Sequence, residues 1–344
     1  MNKSQIEHYF FYLSAIVVII AGLKMASQAA VIIFLSIFIA SILTPLMDYM
    51  QKMKIPKFIA LVFVLSLVFV LLFGIFYIVN TSLESFIANI SFYEERLRSM
   101  VLQSLAWLDG LGVHLEPKAI LEGLNFGALF NMTASTVGNI SVFVSKMLLV
   151  VIGVAFLLVE SRNFGAKVDI IFKNDERSKK NFELFAHTIQ KYFTIKTFTS
   201  LFTGALITGT LLAFEIPYPF LWGFLGFMLN FIPVVGSIIA SVPALLLALI
   251  HQDVSTFAWL ALIYVLINNL ISNIIEPNIM GDGLGLSPAM IFFSLIFWGW
   301  VLGPVGMFLA VPLTMTLKIA FDSNSQTAWI GVLLSNLKKR ETKA

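Results

Sequence analysis

The chain contains no cysteine. Disulfides, a thiolate nucleophile and cysteine-ligated metal centres are therefore excluded. Histidine is scarce: His8, His114, His187 and His251 lie far apart and show no ligand spacing, so no metal site is expected. Charged residues make up only 12% of the chain, where soluble proteins carry about 25%. Lys and Arg are missing altogether from Thr197 through Leu317. No P-loop, Gly-x-Ser-x-Gly, His-Glu-x-x-His or paired-carboxylate motif occurs, so neither an enzyme activity nor a cofactor is expected. Without a nucleotide site, ATP-driven transport by this chain alone is not expected either.

What the chain has is apolar sequence, 59% of its residues. Uninterrupted apolar runs of about 18 or more residues read as membrane-spanning helices, and these runs lack the alternation of barrel strands. Residues 1–80 hold three candidate spans, Phe10–Leu23, Ala29–Leu46 and Phe58–Val79. No small-residue cleavage site follows the first, so an uncleaved span is expected. Residues 81–141 read as an extramembrane module. Its apolar positions Leu83, Phe86, Ile87, Ile90, Tyr93, Leu97, Met100, Val101, Leu105 and Leu108 recur every three to four residues, the period of an amphipathic helix. A shorter helix is expected from Glu116-Pro117. A fourth span is expected within 142–160, followed by a charged amphipathic segment, 161–196, with eight Lys/Arg. Residues 197–320 form the expected transport core, and 321–344 a basic tail.

Loop charge sets the orientation, because cytoplasmic loops collect Lys and Arg. The clusters at 52–57, 162–196 and 338–343 are expected on the cytoplasmic side, with both termini inside and the 81–141 module outside. Within the core, Phe198–Phe214 and Phe257–Asn273 read as full spans. Segments 220–250 and 289–319, about 31 residues each, are too long for one crossing and too short for two. Each reads as a hairpin that enters and leaves on one side, and the loop charges put the two on opposite faces.

The two broken segments also resemble each other. PVVGSIIASVPALLLAL begins at Pro233 and GPVGMFLAVPLTMTLKI at Gly303. Each has a Pro-Val-(Val)-Gly tip, a short apolar piece, then Val-Pro and an apolar run. Pro233, Gly236 and Pro243 shape the first break, Pro304, Gly306 and Pro312 the second, and Pro277 and Gly281 the turn between them. A pair of Gly/Pro-interrupted segments points to a secondary transporter's binding site. Breaking a helix frees backbone N–H and C=O groups, and lipid cannot satisfy them. Asn230, Ser237, Asn268, Asn273 and Glu276 are the candidate solute ligands. Ser241, Thr314 and Thr316 are also polar beside the breaks. Such groups also glue helices together. Glu276 has two readings: an ionisable group at membrane depth, functional by default, or a solvated interfacial cap.

NFIPVVGSIIASVPALLLAL, IIEPNIMGDGLGLSPAM and FWGWVLGPVGMFLAVPLTMTLKI resemble the signature blocks of the autoinducer-2 exporter family of bacterial permeases, and the wording of the last is closest to the family's subgroup of enteric bacteria. The resemblance covers almost the whole chain. It implies export of autoinducer-2, a small polyhydroxylated signal, across the inner membrane by an assembly of identical subunits, with a pentamer expected. Other members are described as sodium(lithium)/proton antiporters. The expected fold is thus an all-α polytopic membrane protein of about six full transmembrane helices plus two oppositely oriented re-entrant helical hairpins forming an inverted repeat. The expected function is a solute exporter working by alternating access, with a cation/proton antiporter or a non-transporting membrane scaffold as alternatives.

Overall fold

The computed structural model describes residues 3–112, 126–173, 175–233, 235–280, 285–322 and 326–335. It is helical throughout, and among the described residues the one β-type pairing is an isolated bridge between Leu286 and Ser335. Among the described residues, four helices are long and apolar enough to cross a membrane, or five if one bent pair counts as a single span.

The first two helices, α1 (Lys3–Met25) and α2 (Ser27–Lys52), are joined through Ala26 alone. The bonds Ala26 N–H to Gly22 O and Ala30 N–H to Ala26 O, 2.9 Å each, carry the helical pattern across the joint. Both expected helices are present, but antiparallel helices need a loop of about 2–5 residues, so α1 cannot fold back along α2. The apolar part of α1, Ser14–Met25, is also shorter than a full crossing. Helix α2 carries Pro45, whose missing N–H leaves the Ser41 carbonyl without its intrahelical donor. Gln190 Nε2 supplies that bond at 3.4 Å.

Helix α3 (Lys57–Ala88) has 32 residues and is about 48 Å long, well beyond a bilayer core. It ends at Asn89, whose side chain turns back to donate to Ser85 O at 2.7 Å, and α4 (Ile90–Gly110) follows. The apolar stripe expected to run unbroken from Leu83 to Leu108 is therefore split between two helices. Of its buried members, Leu83, Phe86, Tyr93 and Leu97 still pack into one core cluster, and Leu105 is buried as well. The helix expected from Glu116-Pro117 lies outside the described residues. Helix α5 (Phe126–Ile171) contains the fourth apolar run and bends by 65° between Met147–Ser161 and Asn163–Ile171. Helix α6 (Glu176–Ala213) starts at an Asp175 cap that accepts from Ser178 N–H at 2.9 Å. With no proline inside it, α6 joins the charged segment to the fifth span without the boundary expected at residue 196.

The two broken segments follow. The first is α7 (Pro219–Leu229) and α8 (Val235–His251), packed side by side. At about 16 Å and 25 Å neither reaches across a bilayer core of about 30 Å. Next come α9 (Val254–Asn269), a π-helical turn (Leu270–Ile275) and α10 (Glu276–Met280), which together make one span. The wider turn accommodates Pro277, which cannot donate to the carbonyl four residues back. The second broken segment is α11 (Pro288–Leu302), α12 (Pro304–Phe308) and α13 (Ala310–Asp322), followed by α14 (Ala328–Leu334).

The packing relates the segments to α3. Tyr218, just before α7, and His251, the end of α8, both lie against Tyr93. The two tyrosine oxygens are 3.1 Å apart, and the Tyr93 and His251 ring centres 5.5 Å apart. This end of the segment packs with Val79, Leu83 and Phe86, late in α3. Leu286, just before α11, and Met315 of α13 pack instead with Met47, Ala60 and Val64, at the opposite end of α3. Between these ends the two breaks meet. Phe231 and Phe308 have ring centres 4.2 Å apart, and both flank Phe38, midway along α2, at 5.8 and 5.1 Å.

Each break depends on its glycine. A Cβ on Gly236 would overlap the carbonyl oxygen of Leu229, and one on Gly306 the carbonyl oxygen of Trp298. The glycines of the two related motifs thus do the same thing, letting the returning arm touch the backbone of the arm before it. Gly303 opens the second break with φ +71°, a conformation that side chains disfavour. Trp298 Nε1 then donates to Thr314 Oγ1 across the pair at 3.0 Å.

Candidate functional site

The contact of α6 with α7 is very close. Gly204 and Gly223 face each other, so a Cβ on either would come within 2.8 Å of the other's carbonyl oxygen. Small residues allow such an approach between helices in lipid. The close contact carries the start of the break, Asn230, into the protein, where it is 5% exposed. Beside it a crevice of about 110 Å³ opens between α6, α7, α8 and α9. Its polar lining is Thr203, Asn230, Ser237, Ser241, Tyr264 and Asn268. The rest of the wall is apolar.

Three of the five candidate ligands, Asn230, Ser237 and Asn268, therefore line one crevice. The other two lie elsewhere. Asn273 is exposed and donates to Asn269 Oδ1 at 2.8 Å. Glu276 forms an ion pair with Lys196, Oε1 to Nζ at 2.7 Å, and accepts from Thr199 Oγ1 at 2.8 Å. The Lys196 and Glu276 side chains are 6% and 12% exposed, so Glu276 is not a solvated cap. Of the residues expected to shape the breaks, Gly236, Pro243, Gly306 and Pro312 are buried, Pro233 is half-buried, and Pro277 and Pro304 are exposed. Gly281 lies outside the described residues.

A polar stripe on α6 joins the pair to the crevice. Lys196, Thr199, Ser200 and Thr203 are all buried, at 5%, 5%, 0% and 4% exposure. Thr199 binds Glu276, Ser200 Oγ accepts from Asn230 Nδ2 at 2.9 Å, and Thr203 lines the crevice. Sequence reasoning passed over this stripe, although its i, i+3, i+4, i+7 spacing marks one helix face. Tyr264 was passed over as well, since one aromatic in an apolar span reads as core. Its hydroxyl is buried and has no hydrogen-bond partner.

Several apolar spans, two broken helical segments meeting at mid-span and a partly polar crevice beside one break define an integral membrane protein of the transporter class. Comparison with known proteins agrees. The family model for AI-2E family transporters matches residues 13–326, and the chain belongs to that family. The AI-2 transport protein TqsA of Escherichia coli K12 is 30% identical over 95% of both chains. A protein of Haemophilus influenzae, provisionally named a transport protein, is 34% identical over 98% of this chain and 99% of its own. The E. coli K12 protein YhhT, also provisionally named for transport, is 28% identical over 95% of this chain and 94% of its own.

Proposed function

We propose that this chain is a secondary transporter of the bacterial inner membrane that exports autoinducer-2, a small polyhydroxylated solute, by alternating access. The observation that carries the reading is the crevice, whose wall includes Asn230, at the first break, and the polar groups of α6 and α9. A broken helix is tolerated in a membrane where protein or a water-filled path satisfies the freed backbone groups, and such a path is where a polar solute crosses. The substrate comes from TqsA, whose name specifies AI-2 transport. In this reading the broken segments are re-entrant hairpins of an inverted repeat, entering from opposite faces with their tips at the midplane. Support comes from their packing at opposite ends of α3 and from the Phe231–Phe308 contact. The carboxyl terminus is cytoplasmic; because α1 runs on into α2 instead of folding back, the amino terminus lies on the side opposite the basic 52–57 loop, and copies of the chain assemble as a homo-oligomer, with five the expected number.

The Lys196–Glu276 pair favours a second reading, sodium(lithium)/proton antiport. A carboxylate at membrane depth is an apt place for a coupling proton. One experiment separates the two. Proteoliposomes loaded with autoinducer-2 release it faster than protein-free vesicles if the first reading holds. No release above background, with a sodium gradient driving proton movement that Glu276→Gln abolishes, replaces it with the second.

A further inference from the structure

Three hydroxyls of the crevice can be read for their hydrogen-bond polarity. Thr203 Oγ1 donates to Thr199 O at 2.9 Å, and Ser241 Oγ donates to Ile238 O at 2.9 Å. A hydroxyl has one proton, so both offer a ligand only their oxygen lone pairs. Tyr264 is the opposite case. It lines the same crevice, the residue is 8% exposed, and its buried hydroxyl has no partner. Its proton is uncommitted. Native proteins pair almost all buried polar groups, and an unpaired one asks for an explanation. A ligand that binds for part of each cycle is such an explanation: the hydroxyl is paired when the site is full.

We infer that Tyr264 is a specificity-determining residue of the crevice, acting as a donor to an oxygen of a neutral, hydroxyl-rich solute whose own hydroxyls donate to Thr203 and Ser241. The inference rests on the crevice being the solute site. The polarity sorts ligands by class. A polyol brings donors to Thr203 and Ser241 and an acceptor to Tyr264. A carboxylate or phosphate brings only acceptors, which oppose the two lone-pair-bearing oxygens, and the nearby lysine of α6 is already held by Glu276. An apolar molecule of the same size leaves Tyr264 unpaired.

The test uses the full chain in proteoliposomes, with autoinducer-2 as the probe. Tyr264→Phe keeps the ring and removes the hydroxyl. The KM for efflux is expected to rise about three- to tenfold, the loss of one neutral hydrogen bond. Because the hydroxyl has no partner in the empty protein, the melting temperature of the purified variant is expected to stay level or rise. A hydroxyl with a merely structural role gives a lower melting temperature and an unchanged KM, and that result overturns the inference. Ser241→Trp, which fills the crevice, is measured alongside. If it abolishes efflux while Tyr264→Phe leaves KM unchanged, the crevice stands and the role of Tyr264 falls. If Ser241→Trp exports at the wild-type rate, the crevice reading fails and takes the inference with it.

Discussion

Lys196 and Glu276, 80 positions apart, meet inside the helical core with Nζ and Oε1 2.7 Å apart. Lys196 is the last cation before the long stretch without Lys or Arg, and Glu276 follows the π-helical turn within that stretch. The pair ties α6 to α10, and Thr199 closes the group by donating to the same carboxylate oxygen. Removing one partner of a buried pair leaves the other charge uncompensated, at a cost of about 3–5 kcal/mol. Glu276→Gln is therefore expected to lower the melting temperature of the purified protein sharply. The double variant Lys196→Met, Glu276→Leu is expected to recover most of the loss. A single variant as stable as wild type contradicts the pairing.

The break glycines give a second prediction. A methyl group at position 236 or 306 would sit on a backbone carbonyl oxygen, which cannot rotate away as a flexible side chain can. Overpacking of this kind costs about 1–3 kcal/mol, and an unyielding neighbour puts it at the upper end. Gly236→Ala and Gly306→Ala are each expected to reduce the folded yield in detergent. Gly22→Ala, with open space around the position, is expected to leave it unchanged.

The absence of cysteine makes every introduced thiol unique, and this tests the opposed hairpins. With a membrane-impermeant maleimide, Gln252→Cys, beside the end of α8, is expected to label from outside intact cells. Ser287→Cys, just before α11, is expected to label only after the inner face is opened. Labelling of both from the same side removes the inverted arrangement.

In the short connection between α8 and α9, Asp253 caps α9 by accepting from Thr256 N–H at 2.7 Å. Hydrogen bonds from Thr256 hold its carboxyl below the usual carboxylate range. A lowered folded value means that the cap's stabilisation is present above the unfolded carboxylate value and is lost as pH falls through the folded one. Amide exchange over residues 254–258 is expected to speed up in that acid window beyond the intrinsic pH effect. In Asp253→Asn, which keeps an accepting oxygen but does not titrate, that extra rise is expected to vanish.

What could be read from the sequence follows the reach of each signal. Spans announce themselves through unbroken apolar length, and the breaks through Pro233, Gly236, Pro304 and Gly306, whose conformational limits are local. Four of the crevice residues, Asn230, Ser237, Ser241 and Asn268, were legible because polar side chains beside a break in an apolar chain stand out. Features that depend on neighbours distant in sequence were not. Nothing at Lys196 says that Glu276 will meet it, and nothing at Tyr264 says that its hydroxyl will be left alone. Helix continuity was also hidden. A change from charged to apolar sequence at residue 196 looks like a boundary, yet only a proline, a cap or a competing side chain ends a helix. Asn89 supplied such an end where an unbroken apolar stripe gave no warning.

The central claim is that solute crosses beside the first break, and filling the crevice tests it most directly. Ser241 is half-buried, and its hydroxyl bonds only within its own helix, so Ser241→Trp can fill the space without breaking a contact between helices. The measurement is efflux of autoinducer-2 from loaded proteoliposomes, comparing wild type with a Ser241→Trp protein that melts at the same temperature. Release above that of protein-free vesicles by wild type, and at their level by the variant, is the predicted result. A folded Ser241→Trp protein that releases the signal as fast as wild type would contradict the account.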